Sequence, residues 1–281
     1  EILSLRALDA FDNFFSELYE AAAAMDIPAE TAISEAGMGQ FEINLVHGPA
    51  MKAADDTWLF KLLAHGLARN HGFAASFMAK PYAGFAGNGM HMHFSVLDET
   101  GGNIFDDGTS QGSGALRGAV AGCLEAMAPS TLIFAPHGSS YDRLVPGAHA
   151  PTGISWAYEN RTAAIRVPAG SPKARRIEHR VAGGDINPYL MLAVVLGAAL
   201  DGIERGAEPP APVTGNAYSA DLPQIPTDWA AAIAAFRDSE IVTRLLPRQL
   251  IRNLVLTKEQ ELEAEGELSP SERVDLYLDT V

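Results

Sequence analysis

Three short segments place chemically capable side chains at every second position. Gln40, Glu42 and Asn44 alternate with Phe41, Ile43 and Leu45. His91, His93 and Ser95 alternate with Met90, Met92 and Phe94, and Arg176, Glu178 and Arg180 share one parity of Arg-Ile-Glu-His-Arg. Side chains of a β-strand point alternately to its two faces. Each segment therefore predicts a strand with one face carrying acid, imidazole or guanidinium. Carboxylates and imidazoles converging from several strands suit Mg²⁺ or Mn²⁺, and converging acids such as Glu35 and Glu42 need a nearby cation to stay ionised. The basic residues Arg143, Arg161, Arg166, Lys173, Arg176 and Arg180 gather between positions 143 and 180 of a chain that is otherwise acidic. Planar guanidinium forks match carboxylate and phosphate oxygens, so the cluster implies an anionic substrate together with a nucleotide. Gly84, Gly87 and Gly89 precede the His91 segment and would let backbone approach a ligand, although their spacing fits neither the nucleotide-phosphate loop nor the dinucleotide fingerprint.

Helices must carry these strands. Leu5, Leu8, Phe11, Phe15, Leu18 and Ala22 recur at steps of three and four after Ser4, predicting one amphipathic helix that ends near Pro28. A second helix is expected over 55–70, with Asp55 and Asp56 in its first turn, Trp58, Leu62 and Gly66 on one face, and His71-Gly72 as its stop. Asn187-Pro188 opens a helix that is apolar almost all round through Ile203 and is expected to be buried. Residues 209–226 read as loop, followed by helical patterns over 228–236, over 250–265 and from Ser269-Pro270 onward. No repeat or linker divides the chain.

The chain has 281 residues, with 35 acidic and 20 basic residues giving a net charge of −15. That balance disfavours nucleic acid and anionic lipid as partners. The longest apolar stretch, 189–200, is about a dozen residues against the roughly 20 that a membrane-spanning helix requires. A single cysteine, Cys123, gives no sign of an oxidising compartment, and a cytoplasmic location is expected.

Five ordered motifs between residues 35 and 190 resemble the catalytic domain of the glutamine synthetase family. They are Glu35-Ala-Gly-Met-Gly-Gln-Phe-Glu42, the run from Lys80-Pro81 to Ser95, Arg143-Leu-Val-Pro-Gly147, Asn160-Arg-Thr-Ala-Ala-Ile-Arg166, and Ser171-Pro-Lys-Ala-Arg-Arg-Ile-Glu-His-Arg180 followed by Asn187-Pro-Tyr-Leu190. The resemblance implies an α+β fold over residues 1–281, with a curved antiparallel sheet, a half-barrel, lining the active site and helices behind it. It implies ATP-dependent phosphorylation of the γ-carboxylate of glutamate, followed by displacement of phosphate by an amine.

Carried over position by position, the resemblance makes Glu35 and Glu42 ligands of one divalent ion and His91 and Glu178 ligands of another. His93, Ser95, Lys173 and Arg176 would meet ATP, with Arg161 and Arg166 on the transferring phosphate. Arg143 would bind the α-carboxylate of glutamate, the Gly87 carbonyl its amino group, and Arg180 its reacting carboxylate. His149 stands where glutamine synthetases proper carry a glutamate that binds ammonium, and Ala86-Gly87 stands where they carry Asn-Gly. Both differences resemble the γ-glutamylpolyamine and γ-glutamylamide synthetase branch, which takes a larger amine. An authentic, ammonium-using glutamine synthetase and a catalytically silent relative are the alternatives. The family's N-terminal β-grasp domain, and a strand giving one glutamate to each metal, would precede residue 1. Its usual assembly is a dodecamer of two hexameric rings. The family's adenylylated tyrosine falls near Tyr218, which reads as an ordinary loop tyrosine.

Overall fold

The computed structural model describes residues 2–145, 150–278 and 280–281. Ser4 caps α1 (Leu5–Asp9) by accepting from the Ala7 amide at 3.2 Å. The expected single N-terminal helix is interrupted after Ala10, and α2 (Asp12–Ala24) follows. The break lets Phe11 leave the helical path and set its ring edge-on to Phe41 at 5.2 Å and Phe73 at 5.5 Å. α1 buries nothing, whereas α2 buries Phe14, Phe15, Leu18 and Ala22.

β1 (Ala29–Ser34) and β2 (Phe41–Leu45) form an antiparallel hairpin whose apolar side packs with α2 and α3 (Ala50–Asn70) in a small core of their own. α3 begins five residues before the expected start, so Asp55 and Asp56 are not first-turn acids. Asp56 is buried against Lys52 at 2.9 Å, and Asp55 accepts from the Tyr189 hydroxyl at 2.7 Å. The face turned inward is that of Ala54, Phe60, Ala64, Leu67 and Ala68, while Trp58 and Leu62 are exposed. His71 and Gly72 end α3 as expected, with Gly72 at φ +80°.

The second sheet contains β3 (Met92–Phe94), β4 (Trp156–Tyr158), β5 (Ile165–Val167) and β6 (Ile177–His179) in the order β3-β6-β5-β4. Its β3-β6 and β6-β5 pairs are antiparallel, but the edge pair β4-β5 is parallel, a departure from the all-antiparallel expectation. The parity expected for the His91 and Arg176 segments holds, with Met92, Phe94 and Ile177 in the main core, where Ile165, Val167 and Trp156 of β5 and β4 join them. Helices α4 (Gly114–Met127), α5 (Thr131–Phe134) and α6 (Pro188–Glu204) contribute to the same core. Asn187 caps α6 by accepting from the Tyr189 and Leu190 amides. α4 and α6 touch backbone to backbone, because a Cβ at Gly122 would lie 1.9 Å from the Ala198 carbonyl oxygen and one at Gly202 would lie 2.1 Å from that of Gly118. No helix among the described residues is long and apolar enough to cross a membrane.

α7 (Trp229–Arg237), α8 (Glu240–Leu245), α9 (Arg248–Glu265) and α10 (Pro270–Leu278) complete the chain. Glu265, at the end of α9, is buried and receives a hydrogen bond from the Tyr277 hydroxyl of α10. Burial first, and the nearby Glu261 charge second, push its carboxyl up to about 7. An unfolded glutamate releases its proton near 4.3, so between these values the native state binds the extra proton and stability falls as pH rises. Glu265→Gln is expected to remove that loss and to stabilise the protein by about 2 kcal/mol at pH 8, roughly half of what the full shift implies because solvent screens part of it, with little effect near pH 4. The difference between the two proteins in urea unfolding at each pH is the measurement. Nearby His137, lowered to about 3 by burial, titrates with the opposite sign in both and cancels.

Candidate active site

The register of the second sheet places its polar residues in rows. His93 pairs with Glu178, and Glu178 pairs with Arg166, so one row crosses three strands as imidazole, carboxylate and guanidinium. Continuing the same register brings His91 beside Arg180, whose Nη1 lies 3.5 Å from the His91 Nδ1. At the other end Arg176 Nε donates to His93 Nδ1 at 3.1 Å.

Glu178 is the hub. Its side chain is 3% exposed, with Oε1 accepting from Arg180 Nη1 at 2.5 Å and Oε2 from Arg166 Nη1 at 2.9 Å. His91 Nδ1 stands 3.5 Å and His93 Nε2 3.9 Å from Oε1. Burial alone would raise this carboxyl, but the charge of Arg180 foremost, with the hydrogen bond from Arg166, holds it below its usual range. Burial, and then Arg180, keeps His91 well below its ordinary range; burial and Arg176 lower His93 despite the opposing pull of Glu178. Both rings are therefore neutral at physiological pH, and the Nδ1 lone pair of His93 accepts from Arg176.

The glycine loop approaches this row from the Arg143 side. Gly89 bridges to Gly183. A Cβ at Gly89 would fall 2.6 Å from Arg143 Nη2 and 3.5 Å from His91 Nε2, and one at Gly87 would fall 3.1 Å from Arg143 Cγ. These glycines let the main chain lie directly on the arginine. Arg143 is buried and donates to the Val181 carbonyl at 2.8 Å; burial lowers it to about 10, which leaves it cationic at neutral pH.

Glu35 and Glu42 stand on the hairpin formed by β1 and β2. Burial, and then Glu42, raises the Glu35 carboxyl, while Arg161 pulls it down. Neither acid makes a hydrogen bond or ion pair to the Glu178 cluster among the described residues. Ser95, Arg161 and Lys173 are exposed, and their side chains make no hydrogen bond or ion pair to the Glu178 cluster among the described residues. The turn bearing Lys173 is held by Asn103, which donates to the Arg175 carbonyl at 2.8 Å, and by an ion pair of 3.0 Å between Arg175 and Asp106. His149 lies outside the described residues.

As a test of metal fit, no group of three His, Cys, Asp or Glu side chains among the described residues could hold an ion by itself. The two pairs, Glu35 with Glu42 and His91 with Glu178, nevertheless supply donors of the right kind. Mg²⁺ commonly takes one or two protein carboxylates and completes its shell with water and substrate phosphate. A neutral imidazole at His91 beside the ionised Glu178, and the acids Glu35 and Glu42 set on one hairpin, are compatible with such partial shells.

Some residues that shape the site carry no periodic signal. Glu159, at φ +52°, sits 3.4 Å from Arg166. Asn88 and the fully buried Asp185 organise the loops around Arg143, with Asp185 accepting from Ser140 Oγ at 2.5 Å. The glycines around Asn88 and before Asp185 are the sequence hint of those two; Glu159 has none.

An acid- and arginine-lined mixed sheet and a backbone loop laid on a buried arginine define an α+β domain. The chain belongs to the glutamine synthetase catalytic-domain family, whose model matches residues 1–275. It is 35% identical over 263 residues to the gamma-glutamylputrescine synthetase of Escherichia coli K12, covering 93% of this chain and 56% of that protein. It is 36% identical over 242 residues to the glutamine synthetase of Methanocaldococcus jannaschii, covering 83% of this chain and 53% of that protein. A solved GmaS/ADP complex superposes with a TM-score of 0.86 at 30% identity, covering 97% of this chain and 65% of that one. The chain thus spans little more than half the length of these curated relatives.

Proposed function

We propose that the chain is the catalytic domain of an ATP-dependent ligase that joins the γ-carboxylate of glutamate to an amine, with a polyamine or alkylamine preferred over ammonium. The observation that carries this reading is the row His93–Glu178–Arg166, flanked by Arg180 and set beside the Arg143–glycine-loop pair. It offers separate cationic positions for an amino-acid carboxylate and for phosphate.

In this reading Arg143 and the Gly87 carbonyl grip the α-carboxylate and ammonium of glutamate, and Arg180 orients the γ-carboxylate. One oxygen of that group attacks the γ-phosphorus of ATP, and ADP leaves with the bonding pair. The amine lone pair then attacks the acyl carbon, phosphate departs, and the nitrogen loses a proton. Arg161 and Arg166 offset the charge gathering on the transferring phosphoryl group, while His93, Ser95, Lys173 and Arg176 hold the nucleotide. Glu35 with Glu42, and His91 with Glu178, would hold Mg²⁺ or Mn²⁺, which when bound neutralises phosphate charge.

Support for a substituted amine comes from His149, since an imidazole attracts ammonium less than a carboxylate does. Phosphate release with ATP, Mg²⁺ and glutamate, compared across ammonium, putrescine and simple alkylamines, is the deciding assay. His149→Glu is expected to improve the use of ammonium on the order of tenfold relative to putrescine. Ammonium as the best substrate of the unchanged protein would establish the second reading, an authentic glutamine synthetase, which the similar identity to the Methanocaldococcus jannaschii enzyme keeps in view.

We also infer a homo-oligomer, a dodecamer of two hexameric rings. The exposed Met51, Trp58 and Leu62 of α3 support association, and sedimentation gives the test.

A further inference from the structure

Gln40 has no part in the chemistry above, yet its amide joins the two halves of the site. Nε2 donates to the Gly87 carbonyl at 3.0 Å and to Asn88 Oδ1 at 2.7 Å, and Oε1 accepts from the Gly37 amide at 2.8 Å. Gly37 can offer only an N–H here and Gly87 only a carbonyl, so the amide has one orientation. A Cβ at Gly37 would lie 2.8 Å from Gln40 Oε1, which explains why the hairpin turn carries glycine at that point.

Asn88 is equally committed. Its side-chain amide donates to the Met78 carbonyl at 2.8 Å, its backbone N–H donates to Ala79 at 2.8 Å, and its carbonyl accepts from Gly184 at 3.1 Å. The Gly87–Asn88 peptide is therefore held by Ala79 and by the hairpin that bears Glu35 and Glu42, and Asn88 itself is held further by Met78 and Gly184. A carbonyl oxygen has two lone pairs. Gln40 occupies one of those on Gly87, in a loop that lies against Arg143.

We propose that Gln40 is a positioning residue for recognition of the substrate α-ammonium group: it fixes the Gly87 carbonyl beside Arg143 so that the second lone pair accepts from that ammonium. This rests on the reading of the site as a glutamate site. It also makes Gln40 a determinant of selectivity for an amino acid over the dicarboxylate of the same length that lacks nitrogen.

Calorimetry with glutamate, glutarate and ATP distinguishes this role from a general structural one. Gln40→Met keeps much of the volume and removes both polar atoms. It is expected to weaken glutamate binding on the order of tenfold or more, the scale of a hydrogen bond to a charged group. Glutarate and ATP affinities should each stay within about twofold, because neither ligand has an ammonium group to place. Equal weakening of glutamate and glutarate would overturn the proposal and make Gln40 a structural brace; unchanged glutamate affinity would overturn it as well. Gln40→Ala, with thermal unfolding recorded in parallel, provides the same comparison should the methionine variant fail to fold. If the unsubstituted protein binds neither glutamate nor glutarate, the glutamate-ligase reading itself falls, and this proposal falls with it.

Discussion

Glu178→Ala is expected to lower folding stability by about 3–5 kcal/mol, the usual cost of removing one partner from a buried ion pair. The reason lies in what remains. Arg180 is 7% and Arg166 16% exposed at the side chain; without Glu178, Arg180 loses its ion-pair partner and Arg166 retains only the exposed Glu159. The double variant Glu178→Ala, Arg180→Met removes the stranded charge together with its partner. A buried pair replaced by apolar groups is often neutral or stabilising, so this variant is expected to recover most of the lost stability. It is not expected to recover the proposed ligase activity, because in that reading both a metal-ligating carboxylate and the group that orients the reacting carboxylate are gone. Urea unfolding of the two single variants and the double variant gives the cycle. Activity returning with stability would show that Glu178 and Arg180 serve the fold alone.

The cycle also shows where sequence reasoning stops. Alternation at period two placed His91, His93, Glu178, Arg176 and Arg180 on polar strand faces, and the structure keeps that parity. It could not show that Glu178 pairs with both His93 and Arg166, because register across strands 85 and 12 residues apart is set by tertiary packing. No extended alternation marks β4 and β5: Trp156-Ala-Tyr158 is apolar throughout, and Ile165-Arg-Val167 is flanked by Ala163-Ala164 and Pro168. α4 was hidden for the opposite reason: Gly114, Gly118 and Gly122 weaken its intrinsic helicity, yet Gly118 and Gly122 permit the close crossing with α6 that the core requires. On α3, two apolar stripes compete, and only packing against α2 selects Phe60 and Ala64 over Trp58 and Leu62. The hydrogen bonds of Gln40 run to partners 47 and 48 residues away, a relation that no local pattern contains.

Arg161→Ala should reduce turnover on the order of 10²-fold or more, while the KM for ATP changes much less. Its surroundings distinguish it from Arg166. The turn that carries it is braced on both sides: Thr162 donates its amide and its hydroxyl to Asn160 Oδ1 at 3.0 and 2.7 Å, Asn160 Nδ2 donates to the Gly215 carbonyl at 2.7 Å, and Thr162 Oγ1 accepts from the Ala217 amide at 2.9 Å. The guanidinium itself is exposed and makes no ion pair among the described residues, with Glu35 as the acid it influences. A fixed backbone presenting an uncommitted cation suits a group that meets charge only as it develops, since the fold has little need of it. Thermal stability should accordingly move by no more than about 0.5 kcal/mol, the range for exposed substitutions away from such features. Arg161→Lys keeps a point charge but loses the planar fork, so it should recover part of the rate and not all of it. Steady-state kinetics with ATP, glutamate and the preferred amine, alongside unfolding curves, test both statements. If kcat is retained and the KM for ATP rises instead, Arg161 acts in nucleotide binding, and charge stabilisation during transfer must fall to Arg166 and the bound metal.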